Sequence, residues 1–371
     1  MIYFDNNATT PLDSRVLASM EPYLSQNYGN PSSLYRAGRF ARTAIERARE
    51  QVAELVGAHV SEVIFTSGGT EANNLAIKGF GYSHSPASIA ISTIEHPSVT
   101  SPANRLQEQG WKVTEIPVDH SGRVNVSLLR SILQQQPGFV SIMFANNENG
   151  VIQDMASITD ICLSQGAIVH TDAVQALGKI PVNFQQLGVQ LMTLSSHKIY
   201  GPKGCGALIR NKSLDLTPLQ EGGGQESELR GGTENVAAIV GFGTAAEIAG
   251  TELEQRSKHT AMLKSNLERA LSDFQQVSIF SQDANRLANT SQFGIRGVDG
   301  EMLLMMLDQK GIAVSSGSAC ASGKSEPSPV LTAMKIEPEL ANSAIRVSFG
   351  QQNSQTEIDT FVETLASLIP N

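Results

Sequence analysis

The chain has 371 residues, 40% of them hydrophobic and 17% charged, with one Trp and three Cys. That length supports a sizeable core and two domains, while a net charge of −9 argues against a non-specific nucleic-acid binder and against an acidic membrane surface as partner. An odd cysteine count without paired spacing points away from a disulfide framework or a zinc ribbon and towards a reducing cytoplasm. The first residues lack a signal-peptide pattern, and no stretch is expected to approach the length of a membrane span.

In chain order, Ile2-Tyr3-Phe4-Asp5-Asn6-Asn7-Ala8-Thr9-Thr10-Pro11 reads as a short strand entering a turn whose Asn and Thr side chains can bind backbone or ligand. Asp13 caps a predicted helix ending near residue 24. Ser32 or Ser33 caps a longer one ending at 56, in which Ala41, Ala44, Ile45, Ala48, Val52 and Leu55 recur at helical spacing. Residues 62–67 predict a buried strand, followed by Gly68-Gly69-Thr70-Glu71 entering a helix. A strand, a glycine pair and a helix N-terminus can hold an anion through free backbone N–H groups and the helix dipole, with the Thr70 hydroxyl beside them. An ordinary capped turn has the same spacing, so this stretch alone does not decide between the two.

Strands at 88–94, 111–117, 138–146 and 167–171 alternate with helices at 97–109, 127–136 and 155–165, which predicts a mostly parallel sheet covered on both faces. Ligands gather at the carboxyl ends of such strands. Five successive ends carry polar groups: Thr70; Glu95 and His96; Asn146, Asn147, Glu148 and Asn149; Thr171, Asp172 and Gln175; Ser195, His197 and Lys198. The last follows the apolar run 189–194 and opens into Ser196-His197-Lys198-Ile199-Tyr200-Gly201-Pro202-Lys203-Gly204. A lysine at a strand end, partly desolvated and beside a second cation, has a lowered pKa and is suited to Schiff-base chemistry.

From about residue 251 the pattern changes to a helix at 252–273, short strands near 277–280, 290–293 and 345–349, and helices at 300–310 and 356–368. This predicts a smaller α+β domain formed by residues 1–12 and 251–371, beside a large domain of residues 13–250. Between its elements lies Ser315-Ser316-Gly317-Ser318-Ala319-Cys320-Ala321-Ser322-Gly323-Lys324-Ser325. A thiol among small polar residues is reactive if its thiolate is stabilised, whereas Cys162 on a helix and Cys205 in an apolar strand read as buried and inert. Gly317 to Gly323-Lys324-Ser325 is not a phosphate-binding loop, since five residues separate the glycines where the motif needs four. Gly241-Phe242-Gly243 has no preceding strand and is not a dinucleotide fingerprint. His59, His84, His120, His170 and His259 have no partner pattern.

Ser196-His197-Lys198 with Asp172 and Gln175, Glu95-His96, Gly69-Thr70, Asn146-Asn147-Glu148, Ser315 to Cys320 and Ser343-Ala344-Ile345-Arg346 together resemble the cysteine desulfurases of the NifS/IscS type. These are class V aminotransferase-like enzymes of pyridoxal 5′-phosphate fold type I. The resemblance implies a large domain with a mostly parallel seven-stranded sheet flanked by helices, and a smaller α+β domain carrying a catalytic cysteine. It implies that Lys198 carries the cofactor and moves the substrate's Cα proton, Asp172 pairs with the ring nitrogen, Gln175 bonds the ring oxygen, and His96 stacks on the ring and assists proton transfer as a third catalytic residue beside Lys198 and Cys320. Gly69, Thr70, Ser195 and His197 would hold the phosphate, joined by Thr233 from a second subunit of a homodimer. Asn147 and Arg346 would position ring or substrate, and Cys320 would take the sulfur of L-cysteine as a persulfide, releasing alanine. No metal is implied. The acceptor would be an iron–sulfur scaffold or a thiolation partner, and the longer tail with which some relatives dock a scaffold is expected to be absent. A selenocysteine lyase, or another aminotransferase or C–S lyase of this fold, remains an alternative; a non-enzymatic carrier would be expected to have lost Lys198 or Asp172.

Overall fold

The computed structural model describes residues 1–316 and 327–369. β1 (Ile2–Tyr3) leads through a turn to α1 (Ser14–Ser25), where the Asp13 carboxylate accepts the Arg15 N–H and satisfies one of the helix's free donors. α2 (Arg36–Leu55) starts later than the serine caps suggested. Asn30 explains the delay: its side chain takes the Ser32 N–H and its carbonyl the Ser33 N–H, so both serines are held in a turn. Then follow β2 (Val63–Thr66), α3 (Gly69–Ser83), β3 (Ser88–Ser92), α4 (Pro97–Gln107), β4 (Lys112–Ile116), α5 (Val126–Leu133) and β5 (Phe139–Ser141). The large-sheet region is completed by α6 (Met155–Leu163), β6 (Ile168–Asp172), α7 (Phe184–Leu187), β7 (Leu191–Ser195) and β8 (Gly206–Arg210).

The seven strands run in the order β2-β8-β7-β6-β5-β3-β4. β8 is antiparallel to both neighbours and the other pairings are parallel, so the sheet is the mostly parallel one the alternation predicts. Its strands read as apolar runs because both faces are buried: Leu191, Ile64 and Leu208 enter one cluster, while Met192, Leu194, Phe65 and Ile209 enter the other. β5 ends at Ser141, short of the predicted strand. The reason lies next door, where the Glu95 carboxylate takes the Met143 N–H at 2.6 Å. The chain stays against β6 through Ile142 N–H to the His170 carbonyl and Phe144 N–H to that of Asp172.

The segment after β8 is fastened to the sheet by a buried ion pair. Arg49 meets both oxygens of Glu226, at 2.7 and 2.8 Å, and Glu226 also accepts the Phe65 N–H at 2.8 Å. These bonds hold Glu226, Ser227 and Glu228 at φ of 46°, 58° and 66°, a left-handed run that non-glycine residues rarely adopt.

α8 (Val236–Leu271) is one continuous helix capped by Asn235. It begins well before the predicted start at 252 and passes without interruption through residues 250 and 251, where the domain division was placed. Its length also corrects the expectation about membrane spans, because it is long and apolar enough to cross one by length and composition. Half of its most apolar stretch is buried within the protein, packed on α1 and α2 as a core helix.

After α8 come β9 (Val277–Ile279), β10 (Thr290–Ile295), α9 (Gly300–Gln309), β11 (Ile312–Ala313), β12 (Ser315–Ser316), α10 (Pro329–Ala333), α11 (Pro338–Asn342), β13 (Ile345–Ser348) and α12 (Gln355–Leu368). β12-β13-β10-β9 form an antiparallel sheet, and β1 pairs in parallel with β11. Phe293, Ile295, Ile345 and Val347 pack with Phe4, Phe361 and Leu365 in a separate apolar cluster.

Candidate active site

A cavity of about 380 Å³ opens at the carboxyl ends of the large sheet. Ten of the residues expected at the site line it: Gly69 and Thr70 from α3, His96 before α4, Asn147, Asp172 at the end of β6 and Gln175 beyond it, Ser195 at the end of β7 with His197 and Lys198 beyond it, and Arg346 from β13. Thr233 is exposed and does not line this cavity. Cys320 lies outside the described residues. A larger surface groove of about 680 Å³ beside α2 and α8, edged by Glu50, Glu54 and Glu247, has no comparable set of groups.

One end of the cavity is built for an anion. Gly68 sits at φ 155° and ψ 178°, a region only glycine populates readily, and this turns the chain abruptly from β2 into α3. The turn lies so close to β8 that a Cβ on Gly206 would fall 2.7 Å from the Gly68 backbone. The first N–H groups of α3 therefore face the cavity with their partial positive charge. Beside them the Ser195 hydroxyl is buried without a hydrogen-bond partner among the described residues. An orphaned hydroxyl, Thr70 and a helix N-terminus fit the phosphate of pyridoxal 5′-phosphate. His197 lies at the same end, its pKa pushed down to about 4 by burial and by Lys198 and Lys203; it serves there as a neutral hydrogen-bonding group.

A polar chain runs across the middle. Asp172 accepts the Val174 N–H at 2.9 Å on one oxygen and Asn73 Nδ2 at 2.7 Å on the other. Asn73 also donates to Ser98 Oγ at 2.8 Å, which leaves the hydroxyl proton of Ser98 for His96 Nδ1 at 2.7 Å. The Ser98 N–H reaches the same nitrogen at 3.1 Å. Nδ1 is thus an acceptor and the neutral ring carries its hydrogen on Nε2. Desolvation and then Lys198 lower the His96 pKa against the opposing pull of Asp172, favouring that neutral form. Beneath, Glu95 is pushed up to about 8, chiefly by burial, although Ser92 and the Met143 N–H bond its carboxyl group.

Lys198 Nζ rests on the carbonyls of Asn7 and Ala8, at 2.5 and 2.7 Å. Burial first and Arg346 second bring its pKa down to about 8, with Asp172 and Asp5 opposing. Arg346 donates from Nη2 to Asp5 at 2.6 Å and from Nη1 to the Asn147 carbonyl at 3.0 Å, while its Nε is buried without a partner among the described residues. It is therefore both a member of an ion pair and a wall of the cavity.

The sequence reading named Asn7 only within a turn able to bind backbone or ligand and did not single out Ala8, Asn73, Ser98, Met143 or Val174; all six also line the site. Asn73 and Val174 were the most accessible of these. Each stands a few residues from a motif already singled out, on the same turn.

The sequence matches the family Aminotransferase class-V over residues 2–361. It is 42% identical over 374 aligned positions to "Cysteine desulfurase IscS" of Dictyoglomus turgidum, covering 99% of this chain and 94% of that protein. A solved structure titled "NIFS-LIKE PROTEIN" superposes with a TM-score of 0.93 at 37% identity, covering 99% of this chain and 100% of that one. Another, "SspA in complex with cysteine", reaches 0.84 at 31% identity over 95% of this chain and 100% of its own.

Proposed function

The chain belongs to the aminotransferase class-V family, and from that premise we propose that it is a cysteine desulfurase using pyridoxal 5′-phosphate to convert L-cysteine to L-alanine, with Cys320 receiving the sulfur. The observation that carries this reading is the convergence of Lys198, Asp172 and the orphaned Ser195 hydroxyl at the N-terminus of α3 on one cavity. When bound, the cofactor supplies an electron sink that acidifies the substrate's Cα–H and weakens its Cβ–S bond.

The chain's own residues do the rest. Burial and Arg346 lower the Lys198 pKa to about 8, which makes its neutral, nucleophilic form more accessible than an ordinary lysine's; this amine would hold the cofactor and move the Cα proton. Asp172, fixed from two sides by Asn73 and the Val174 N–H, is oriented to hold a proton on the ring nitrogen. His96, with its hydrogen on Nε2, would pack against the ring, and Gln175 would offer its carboxamide to the ring oxygen. Arg346 and Asn147 orient the amino acid's carboxylate, and Gly69, Thr70, Ser195 and His197 bind the phosphate. The Cys320 thiolate attacks the substrate sulfur, an S–S bond forms as the Cβ–S bond breaks, and the carbon fragment takes up a proton and leaves as alanine. The products balance as one alanine and one Cys320 persulfide per cysteine.

The same reading makes the active species a homodimer in which Thr233, exposed and outside its own chain's cavity, reaches the phosphate of the other subunit. The large domain of residues 13–250 binds the cofactor, and the small domain of residues 1–12 and 251–371 carries Cys320, with α8 shared between them. The persulfide passes to a protein acceptor, an iron–sulfur scaffold or a thiolation partner, in the cytoplasm. The test mixes wild type and Cys320→Ser with cysteine and a thiol reductant and measures alanine and sulfide. Wild type should release both in equal amounts; Cys320→Ser should bind cofactor and cysteine yet release neither. Wild-type alanine release by Cys320→Ser would move the reading to a lyase without a protein nucleophile, and a preference for selenocysteine to a selenocysteine lyase.

A further inference from the structure

Asp172 ends β6, and Gln175 and Lys179 stand at i and i+4 in the turn that follows it, the spacing of neighbours on one helical face. The chain makes that turn, with Leu177 N–H on the Ala173 carbonyl at 2.9 Å and Ile180 N–H on that of Ala176 at 3.1 Å. Gly178 closes it at φ +66°, where a Cβ would lie 2.7 Å from the Ile199 side chain, so the turn packs directly against the residue after Lys198. The Lys179 side chain is thereby carried under the cavity floor, behind Gln175.

Its amine makes two hydrogen bonds, to Gln175 Oε1 at 2.5 Å and to Asn7 Oδ1 at 2.8 Å. No carboxylate lies within ion-pair reach of it among the described residues. A buried lysine without a carboxylate partner is costly to keep charged. Burial, then Lys198 and Arg346, push its pKa well below the ordinary lysine value. In either protonation state it remains an N–H donor to those two oxygens.

The consequence falls on Gln175. A carboxamide can be turned through 180° with little change in shape. Here Nε2 donates to the Asn7 carbonyl at 2.9 Å while Oε1 accepts from Lys179. Turning it would set two oxygens against each other at Asn7 and two donors against each other at Lys179. Without Lys179 only the Asn7 contact would enforce the choice, and that carbonyl is shared with Lys198.

We infer that Lys179 is a positioning residue: it holds the Gln175 carboxamide so that an N–H, not the C=O, is the edge offered to the cavity. This rests on the cofactor reading above, in which that edge meets the ring oxygen of pyridoxal 5′-phosphate. A fixed donor there stabilises the oxygen anion and lowers the pH at which the bound chromophore loses its proton. The charged groups around this cluster are Lys198 after β7, Arg346 on β13, Asp172 at the end of β6 and Asp5 on the N-terminal segment.

The experiment is a double-mutant cycle of Lys179→Met and Gln175→Ala. It reads the dissociation constant of the apoprotein for pyridoxal 5′-phosphate and the pH midpoint of the visible band of the bound cofactor, without cysteine. Lys179→Met should weaken binding about tenfold and raise the midpoint by about one pH unit, the size expected for one charge-assisted hydrogen bond. In the Gln175→Ala background the same substitution should change neither. Lys179→Arg, which keeps the donors, should return part of both. An equal effect in both backgrounds would show that Lys179 acts as a cation or a prop and would overturn the inference, as would no effect in either. If Lys179→Met does not fold, Lys179→Leu, which also lacks a donor, takes its place in the cycle with the same expectations. Wild-type apoprotein that binds no cofactor would overturn the functional reading and this inference together, whereas normal binding with an additive cycle would overturn only this one.

Discussion

The two larger sheets bury different things. In the seven-stranded sheet both faces are apolar, and the polar groups stand at the carboxyl ends of the strands. In the four-stranded sheet apolar and polar residues alternate: Phe293, Ile295, Ile345 and Val347 face an apolar core, and Thr290, Gln292, Arg346 and Ser348 face the other way. Such alternation ordinarily marks a sheet with one wet face. Here the polar face is buried as well. Asn7 bonds Thr290 Oγ1 and Ser348 Oγ, both at 2.9 Å, Gln292 reaches Glu148 at 3.4 Å, and Arg346 bonds Asp5 and the Asn147 carbonyl. Glu148 also accepts from Ser328, the N-cap of α10, at 2.5 Å. Through Arg346 the polar face of the small sheet reaches the cavity, and the N-terminal segment is the seam along that face. Stability and chemistry are separated by face: apolar faces hold the fold, and polar edges serve the cavity.

The largest expected effect tests the exception, the ion pair buried away from the cavity. Arg49→Met leaves Glu226 a buried carboxylate without its cation and should cost about 3–5 kcal/mol, read as a fall in the denaturant midpoint. A loss below about 1 kcal/mol would show that water reaches Glu226 and that the left-handed run beside it holds itself.

Next is the lysine at the cavity edge. In apoprotein the reaction of Lys198 with an amine-specific reagent should have a pH midpoint near 8, against an ordinary lysine value of 10.5. The sign follows from the causes, since burial and Arg346 disfavour the charged amine. Asp172→Asn removes a carboxylate that opposes them and should move the midpoint lower; a rise would contradict this electrostatic account. Peptide mapping of the labelled protein reads both.

The apolar side of the comparison is tested by Phe361→Leu. Phe361 is fully buried and meets Phe4 edge-on at 5.9 Å between ring centroids. The change should cost about 1.5 kcal/mol and leave cofactor affinity within about twofold, because this core does not touch the cavity. A larger loss of affinity would show that the apolar core and the cavity are coupled.

The smallest effect sets two neighbours against each other. Among the described residues, Ser195 and Ser196 both have buried hydroxyls without a partner, but only Ser195 of the two lines the cavity. Either change to Ala should raise the apoprotein melting temperature slightly, by up to about 1 kcal/mol of stability. Only Ser195→Ala should weaken cofactor binding, and equal affinity losses in both would remove Ser195 from the phosphate end.

Much of this was written locally. The alternation of strands and helices in the first 210 residues, with polar groups after each strand, determined the parallel sheet and placed Thr70, His96, Asp172, Gln175, Ser195, His197 and Lys198 at one edge. Strand periodicity and the rule about carboxyl ends act over a few residues, so a sequence suffices to apply them. Tertiary structure alone decided the rest. Asn7 meets Thr290 across 283 positions, and Lys198 meets the Asn7 carbonyl across 191. Neither contact has a local pattern, because each depends on how the small sheet and the N-terminal segment settle over the ends of β5 and β6. The roles of Asn73 and Lys179 were hidden for a related reason: an amide or an amine inside a turn looks the same whether it faces water or another side chain, and only packing fixes which.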